Sequence, residues 1–226
     1  MGILDLVFPK SCINCGRGGN YICGFCIGKV SVINKLCITC GQPSNGGMTH
    51  PKCKKPLGLN GAISIWKYEK VVRKAIIKLK YKFASDIAKE ISSYASQLLK
   101  SGTMASSKGF VLTPAPLHRS RKNWRGFNQS AEIGKALAKD MGWDFLDNVV
   151  VRKVKTRPQT ELKGIERKKN LQGAFSFNRS HKSIIKNERE LILFDDVWTT
   201  GATIKEMCKV LRKEGVREVW ALTIAK

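Results

Sequence analysis

Long apolar runs are missing from this chain. No stretch approaches the roughly 20 residues that a helix needs to cross a bilayer. The opening MGILDLVFPK has no basic n-region and too short an apolar core for a secretory signal. Leu6 stands where the myristoylation pattern requires serine or threonine, so Gly2 is not read as a lipid acceptor. A cytoplasmic chain without membrane insertion is therefore expected. Acid is scarce too, with 17 acidic against 41 basic residues and a formal charge of +24. Such a field attracts nucleic acid, phosphorylated metabolites or anionic lipid without choosing among them, and a solvated lysine coat has the same composition. A Walker A loop is absent, which removes the P-loop nucleotide site. No segment obviously recognises a nucleobase.

Cysteine is nearly absent after residue 53 and crowded before it. CINC, CGFC, CITC and HPKC give the pairs Cys12/Cys15, Cys23/Cys26, Cys37/Cys40 and His50/Cys53, each with two residues between partners. A tight turn at that spacing aims both side chains at one tetrahedral ion, so two zinc ions are expected. Disulfides fit poorly with a cytoplasmic chain and with a histidine among the ligands. A thioredoxin-like redox site would need one such pair opening a helix. Sequential use of the pairs, first with second and third with fourth, ranks ahead of an interleaved cross-brace. Seven thiolates binding two divalent ions lower the formal charge by three, to about +21. Cys208 shares helical spacing with Ile204, Met207 and Leu211 and reads as a buried thiol.

KKPLGLNG (54–61) is a punctuated connector that ends a zinc-ribbon module at 1–58, with a second unit at 59–226. AISIW then alternates as a strand, and KVVRKAIIKLKYK puts Val72, Ala75, Ile76 and Leu79 on one helical face. FVLTPAP reads as a short buried strand. NQSAEIGKALAKDMG reads as a helix with Ser130 as possible cap, NVVVR as a strand, and His181 as a solvated side chain in a polar excursion. ELILF, a helix from about Gly201 to Glu214, and VREVWALTIA complete an alternating pattern. That pattern argues a parallel α/β sheet with helices on both faces.

LILFDDVWTTGAT (191–203) carries the chemistry. Leu191–Phe194 has no alternation and reads as a central strand buried on both faces. Asp195 and Asp196 emerge at its carboxyl end, where open α/β sheets bind ligands. Thr199, Thr200, Gly201, Ala202 and Thr203 turn into a helix whose first amides, hydroxyls and dipole suit a phosphate. Paired acids beside that loop suit vicinal hydroxyls, so the segment reads as a ribose 5-phosphate cradle.

The same segment resembles the signature of type I phosphoribosyltransferases, which bind phosphoribosyl pyrophosphate (PRPP) with Mg2+. LDLVFPKSCINC, TPAPLH, RGFNQSAEIGKALA, TRPQTEL, RKKNLQGAF and DDVWTTGAT, in that order, resemble the ComF (ComFC) family over nearly the whole chain. Those are double-zinc-ribbon, phosphoribosyltransferase-like proteins associated with DNA uptake in naturally transformable bacteria. The resemblance implies a type I phosphoribosyltransferase-like parallel sheet with flanking helices, preceded by the zinc-ribbon module. It also implies ribose hydroxyls and indirectly magnesium on Asp195 and Asp196, and the 5′-phosphate on Thr199–Thr203. A short pyrophosphate loop would lie at Ala115, Pro116, Leu117 and His118, and a mobile loop within 151–170 would include Gln159, Arg167 and Asn170. Arg119, Arg121, Lys122 and Arg125 around Trp124 and Phe127 mix phosphate-matching forks with stacking faces, which suits single-stranded DNA. Three functions are therefore in view. They are single-stranded DNA handling with a PRPP-type pocket, an active phosphoribosyltransferase acting on a nitrogen base, and a zinc-ribbon adaptor of a helicase from the same operon.

Overall fold

The computed structural model describes residues 9–79, 84–102, 109–117, 126–153, 171, 173–183 and 190–226. Among the described residues seven strands form: β1 (Gly61–Trp66), β2 (Val111–Pro114), β3 (Asp144–Phe145), β4 (Val150–Arg152), β5 (Phe175–Phe177), β6 (Leu191–Val197) and β7 (Val219–Ala225). The α-helices among the described residues are α1 (Gly24–Ile27), α2 (Lys70–Lys78), α3 (Ala84–Lys100), α4 (Gln129–Met141) and α5 (Ala202–Lys213). Five strands make one sheet in the order β1-β7-β6-β2-β3, and every pairing in it is parallel. The expected α/β architecture is present, with the acid-bearing strand at its centre.

Side-chain alternation divides the core into two layers. Ile192 and Phe194 of β6 point into one apolar cluster with Ala75, Ile91 and Leu137, whereas Leu191 and Leu193 point into the other with Met207, Cys208 and Leu211. Helices α2, α3 and α4 thus cover one face of the sheet and α5 the other. All four residues from Leu191 to Phe194 are fully buried, as an unalternating apolar run requires when both faces are covered. Val150–Arg152, expected among the strands, does not join this sheet. It pairs antiparallel with Phe175–Phe177 as a separate ribbon, whose Val150, Phe175 and Phe177 pack in the α5 layer. His181 is half-buried rather than simply solvated, with Nε2 2.9 Å from Asn148 Oδ1.

The cysteine-rich region shares the core of the sheet. Ile22, Ile27 and Val30 lie in one cluster with Ile65 and Trp66. Glu90 of α3 accepts hydrogen bonds from the Tyr21 and Ile22 amides at 3.2 and 2.7 Å, and Tyr94 donates to the Ile22 carbonyl at 3.2 Å. On the opposite side Arg212 of α5 clamps the connector. Its Nε and Nη2 donate to the Gly58 carbonyl at 3.0 and 2.9 Å, Nη2 also reaches Asn60 Oδ1, and Nη1 reaches the Arg217 carbonyl. Asn60 Oδ1 accepts from the Val219 amide at 2.9 Å as well, so one guanidinium joins connector, helix and strand. Arg212→Ala should therefore destabilise the protein by about 2–3 kcal/mol, the cost of orphaning part-buried carbonyls that accept charge-assisted bonds. Urea unfolding with an unchanged midpoint would show that water replaces the clamp.

Candidate functional site

The two cysteine-rich sets converge as separate clusters. Cys12, Cys15, Cys23 and Cys26 form one, and Cys37, Cys40, His50 and Cys53 the other, with all ligand atoms of a set within 4.8 Å of one another. Pairing is therefore sequential, and the cross-brace is excluded. The Cys15 and Cys23 sulfurs lie 3.6 Å apart, close to the roughly 3.8 Å edge of a tetrahedron built on zinc–sulfur bonds. Burial opposes the Cys12 thiolate, yet the amides of Cys23, Cys15 and Asn14 outweigh it and lower its pKa to about 6. Cys37 repeats this, with burial outweighed by amides of Cys40, His50 and Thr39, again to about 6. The knuckle turns thus aim N–H donors at the first sulfur of each set and favour the metal-binding form. His50 faces Cys40 Sγ through Nδ1 at 3.4 Å, while Nε2 lies 3.1 Å from the Pro43 carbonyl. An outer hydrogen bond of that kind fixes the ring and leaves Nδ1 as the ligand. The geometry and donor chemistry suit two zinc ions.

The acid pair sits where strand becomes loop. Asp195 pairs with Thr223 of β7 in register, and α4 begins beside it. Ser130 donates to Asp195 Oδ1 at 2.9 Å, and the Asp196 amide donates to the same oxygen at 3.0 Å. Ser130 is thus not the helix cap. Asn128 caps α4, accepting from the Ser130 amide, and its Nδ2 donates to the Ala115 carbonyl at 2.9 Å. The start of one helix thereby fixes both the acid pair and the loop after β2. Burial first, then repulsion from Asp196, push the Asp195 carboxyl well above the usual carboxylate range, and the Ser130 bond only partly offsets them.

The loop that follows is built on two residues. Gly201 takes φ +69°, and a Cβ there would come within 2.1 Å of the Trp198 ring. Trp198 is buried against that glycine, so the largest residue of the segment shapes the turn from beneath. Thr199 and Thr200 are exposed, while Ala202 and Thr203 are half-buried at the first turn of α5. Thr200 Oγ1 accepts from the Ala202 amide at 3.3 Å.

Of the other sequence candidates, Ala115 uses its amide on the Phe194 carbonyl at 2.7 Å and its carbonyl on Asn128, so both its backbone groups are engaged. Pro116 and Leu117 are half-buried beside it. His118, Arg119, Arg121, Lys122, Trp124 and Arg125 lie outside the described residues, as do Gln159, Arg167 and Asn170. The structure adds Tyr68, just past β1. Burial raises its phenol pKa, Arg73 lowers it and Asp196 raises it, which puts Tyr68 within electrostatic reach of Asp196. A lone tyrosine after a strand carried no sequence signal for this.

The double zinc ribbon domain family matches residues 3–54. DNA utilization protein YhgH of Salmonella typhi is 31% identical over 215 residues, covering 89% of this chain and 89% of that protein. Competence protein ComFC of Bacillus subtilis is 24% identical over 205 residues, covering 86% of this chain and 79% of its own. Competence protein F of Haemophilus influenzae is 39% identical over 120 residues, a match that spans 51% of this chain and only 50% of that relative. Sequential zinc knuckles, a parallel sheet with paired acids at the end of its central strand, and similarity to YhgH along most of both chains make this chain a member of the ComF family.

Proposed function

We propose that this protein handles single-stranded DNA during natural transformation and holds a ribose 5-phosphate unit at the carboxyl edge of its sheet. The observation that carries the reading is the acid pair on β6, tied through Ser130 and Asn128 to the loop after β2 and followed by the Gly201 turn into α5. Asp195 and Asp196 accept hydrogen bonds from sugar hydroxyls there, with Mg2+ neutralising the acids when PRPP is the ligand. The first turn of α5 receives the phosphate. The names of the relatives, competence protein and DNA utilization protein, favour DNA as the polymer handled. The charge of +24 supplies a sequence-blind attraction to it.

Two measurements on one preparation test the reading. Oligothymidine should bind with a steep salt dependence. Trp124→Ala should weaken it at every salt concentration by the roughly 1–3 kcal/mol of a lost stacking contact, and Arg121→Ala with Arg125→Ala should flatten the salt slope. Isothermal titration with PRPP and Mg2+ should give saturable heat. Wild-type affinity for oligothymidine in all these variants would remove the DNA interface, and absence of PRPP heat would remove the pocket. Release of pyrophosphate from PRPP in the presence of a nitrogen base would put the transferase reading first.

A further inference from the structure

A second depression opens on the far side of the phosphate turn. It has a volume of about 530 Å3, within the range of small-molecule sites, and lies between the second zinc cluster, the connector and α5. Ile38, Leu57 and Leu59 give it apolar walls, and Lys55, Lys205 and Lys209 face it against one acid, Glu206. Glu206 is held by Lys209 at 2.5 Å, and Lys205 reaches toward the Thr200 carbonyl at 3.5 Å. Among the described residues Lys55 has no acidic partner. The acid site and this cleft meet at the start of α5. Ala202 lines both, with Asp195, Thr199 and Gly201 on one side and Thr200 on the other.

A phosphate on the first turn of α5 would stand at that junction. A ligand ending in a 5′-phosphomonoester, such as PRPP, has nothing to place beyond it, whereas a phosphodiester has a further nucleoside on its outer oxygen. A cleft with cations and apolar walls is suited to such a nucleoside and its own phosphate. At the other end, Asp195 and Asp196 favour a free sugar hydroxyl and repel a 3′-phosphate. We infer that the site takes the 3′-hydroxyl end of a single strand, with its last sugar on the acids and the preceding nucleotide in the cleft against the zinc ribbon. This rests on the ribose 5-phosphate reading above and adds to it a strand direction, a required end and a second subsite.

The test uses the zinc-loaded full-length protein, with binding followed by calorimetry. The probes are thymidine 5′-monophosphate, the dinucleotide pdTpdT, and pdTpdT carrying a 3′-phosphate. The dinucleotide should bind about tenfold more tightly than the mononucleotide, a difference of about 1.4 kcal/mol. Lys55→Ala should bring that ratio close to one, and the 3′-phosphate should lower dinucleotide affinity at least tenfold. Equal affinities for the mono- and dinucleotide, an unchanged ratio in Lys55→Ala, or indifference to the 3′-phosphate would overturn the inference while leaving the pocket reading in place. Failure of the mononucleotide, the dinucleotide and PRPP alike to bind would overturn the pocket reading itself.

Discussion

Stripping zinc from the protein should unfold the amino-terminal region and expose Trp66. The sulfurs themselves occupy much of the interior of that region: Cys12, Cys23, Cys26 and Cys37 are all nearly inaccessible. The apolar residues buried beside them, Ile22, Ile27 and Val30, are directed into the sheet's own cluster. A segment built this way cannot meet the entropy of ordering by apolar burial alone, so metal binding becomes folding free energy, on the order of 10–16 kcal/mol per site for zinc-finger peptides. Elemental analysis should find two zinc ions per chain. Treatment with a chelator and a thiol reagent should release both and make residues 10–58 a fast target for protease. The loss should reach the core, because Trp66 is only 2% exposed and bridges to Val32 across the boundary. Its emission should move to the red, and a Trp66→Phe variant should lack that component. Protein carrying no zinc after purification in reductant would remove the claim, and retained protease resistance after stripping would show that burial, not metal, holds the region.

Legibility in the sequence followed how local each signal is. Four knuckles announce themselves by spacing, and Leu191–Phe194 by an apolar run that only a doubly covered strand tolerates. The way the knuckles combine was not decided by spacing, because separations of similar length can close either pairing. Helix α3 is the largest element that periodicity left unmarked. Its buried stripe of Ile87, Ile91 and Leu99 is diluted by Ala88, Ser92, Ala95 and Ser96, which are buried too. Small residues let α3 approach α4 closely enough for Ser92 to donate to the Ile133 carbonyl at 3.0 Å, and they weaken the hydrophobic contrast that would reveal the helix. Strand β3 has two residues, too few for any period. The acids themselves were legible, but the Ser130 hydroxyl that engages Asp195 comes from 65 residues away. No local pattern states which helix start will land beside a strand end. The same applies to the cleft behind α5, whose walls come from the connector, the second zinc cluster and a helix about 150 residues later.

Asp195→Asn should make the free protein more stable while it weakens the binding of PRPP and Mg2+. In the unfolded chain this carboxyl titrates near an ordinary aspartate, at about 3.9. In the folded chain burial and Asp196 hold it well above that. Between those two values the folded state binds more protons than the unfolded one. The contribution of Asp195 to stability is therefore fully present below the unfolded pKa and is lost as pH rises through the folded one. Once ionised, the carboxylate is a net cost to the ligand-free fold, set by burial first and then by repulsion from Asp196. An amide in its place keeps an acceptor for Ser130, offers a donor to Asp196 and carries no charge to desolvate. The midpoint of thermal unfolding at pH 7 should rise by at least about 2 °C, the shift that 1 kcal/mol produces in a chain of this size. Across pH 4 to 7 the variant should also lose less stability than the parent. Affinity for PRPP with Mg2+ should fall about ten- to hundredfold, since a charge-assisted bond of roughly 1.5–3 kcal/mol is replaced by a neutral one. Asp196→Asn provides the control: removing that neighbour relieves the repulsion, so the remaining acid should titrate lower and the pH dependence of stability should flatten. A lower melting point for Asp195→Asn, with intact circular dichroism, would make the carboxylate a structural acceptor. A rise in stability together with the loss in affinity would mark it as a group held against its own folding preference, as strained or unfavourable groups at ligand sites often are.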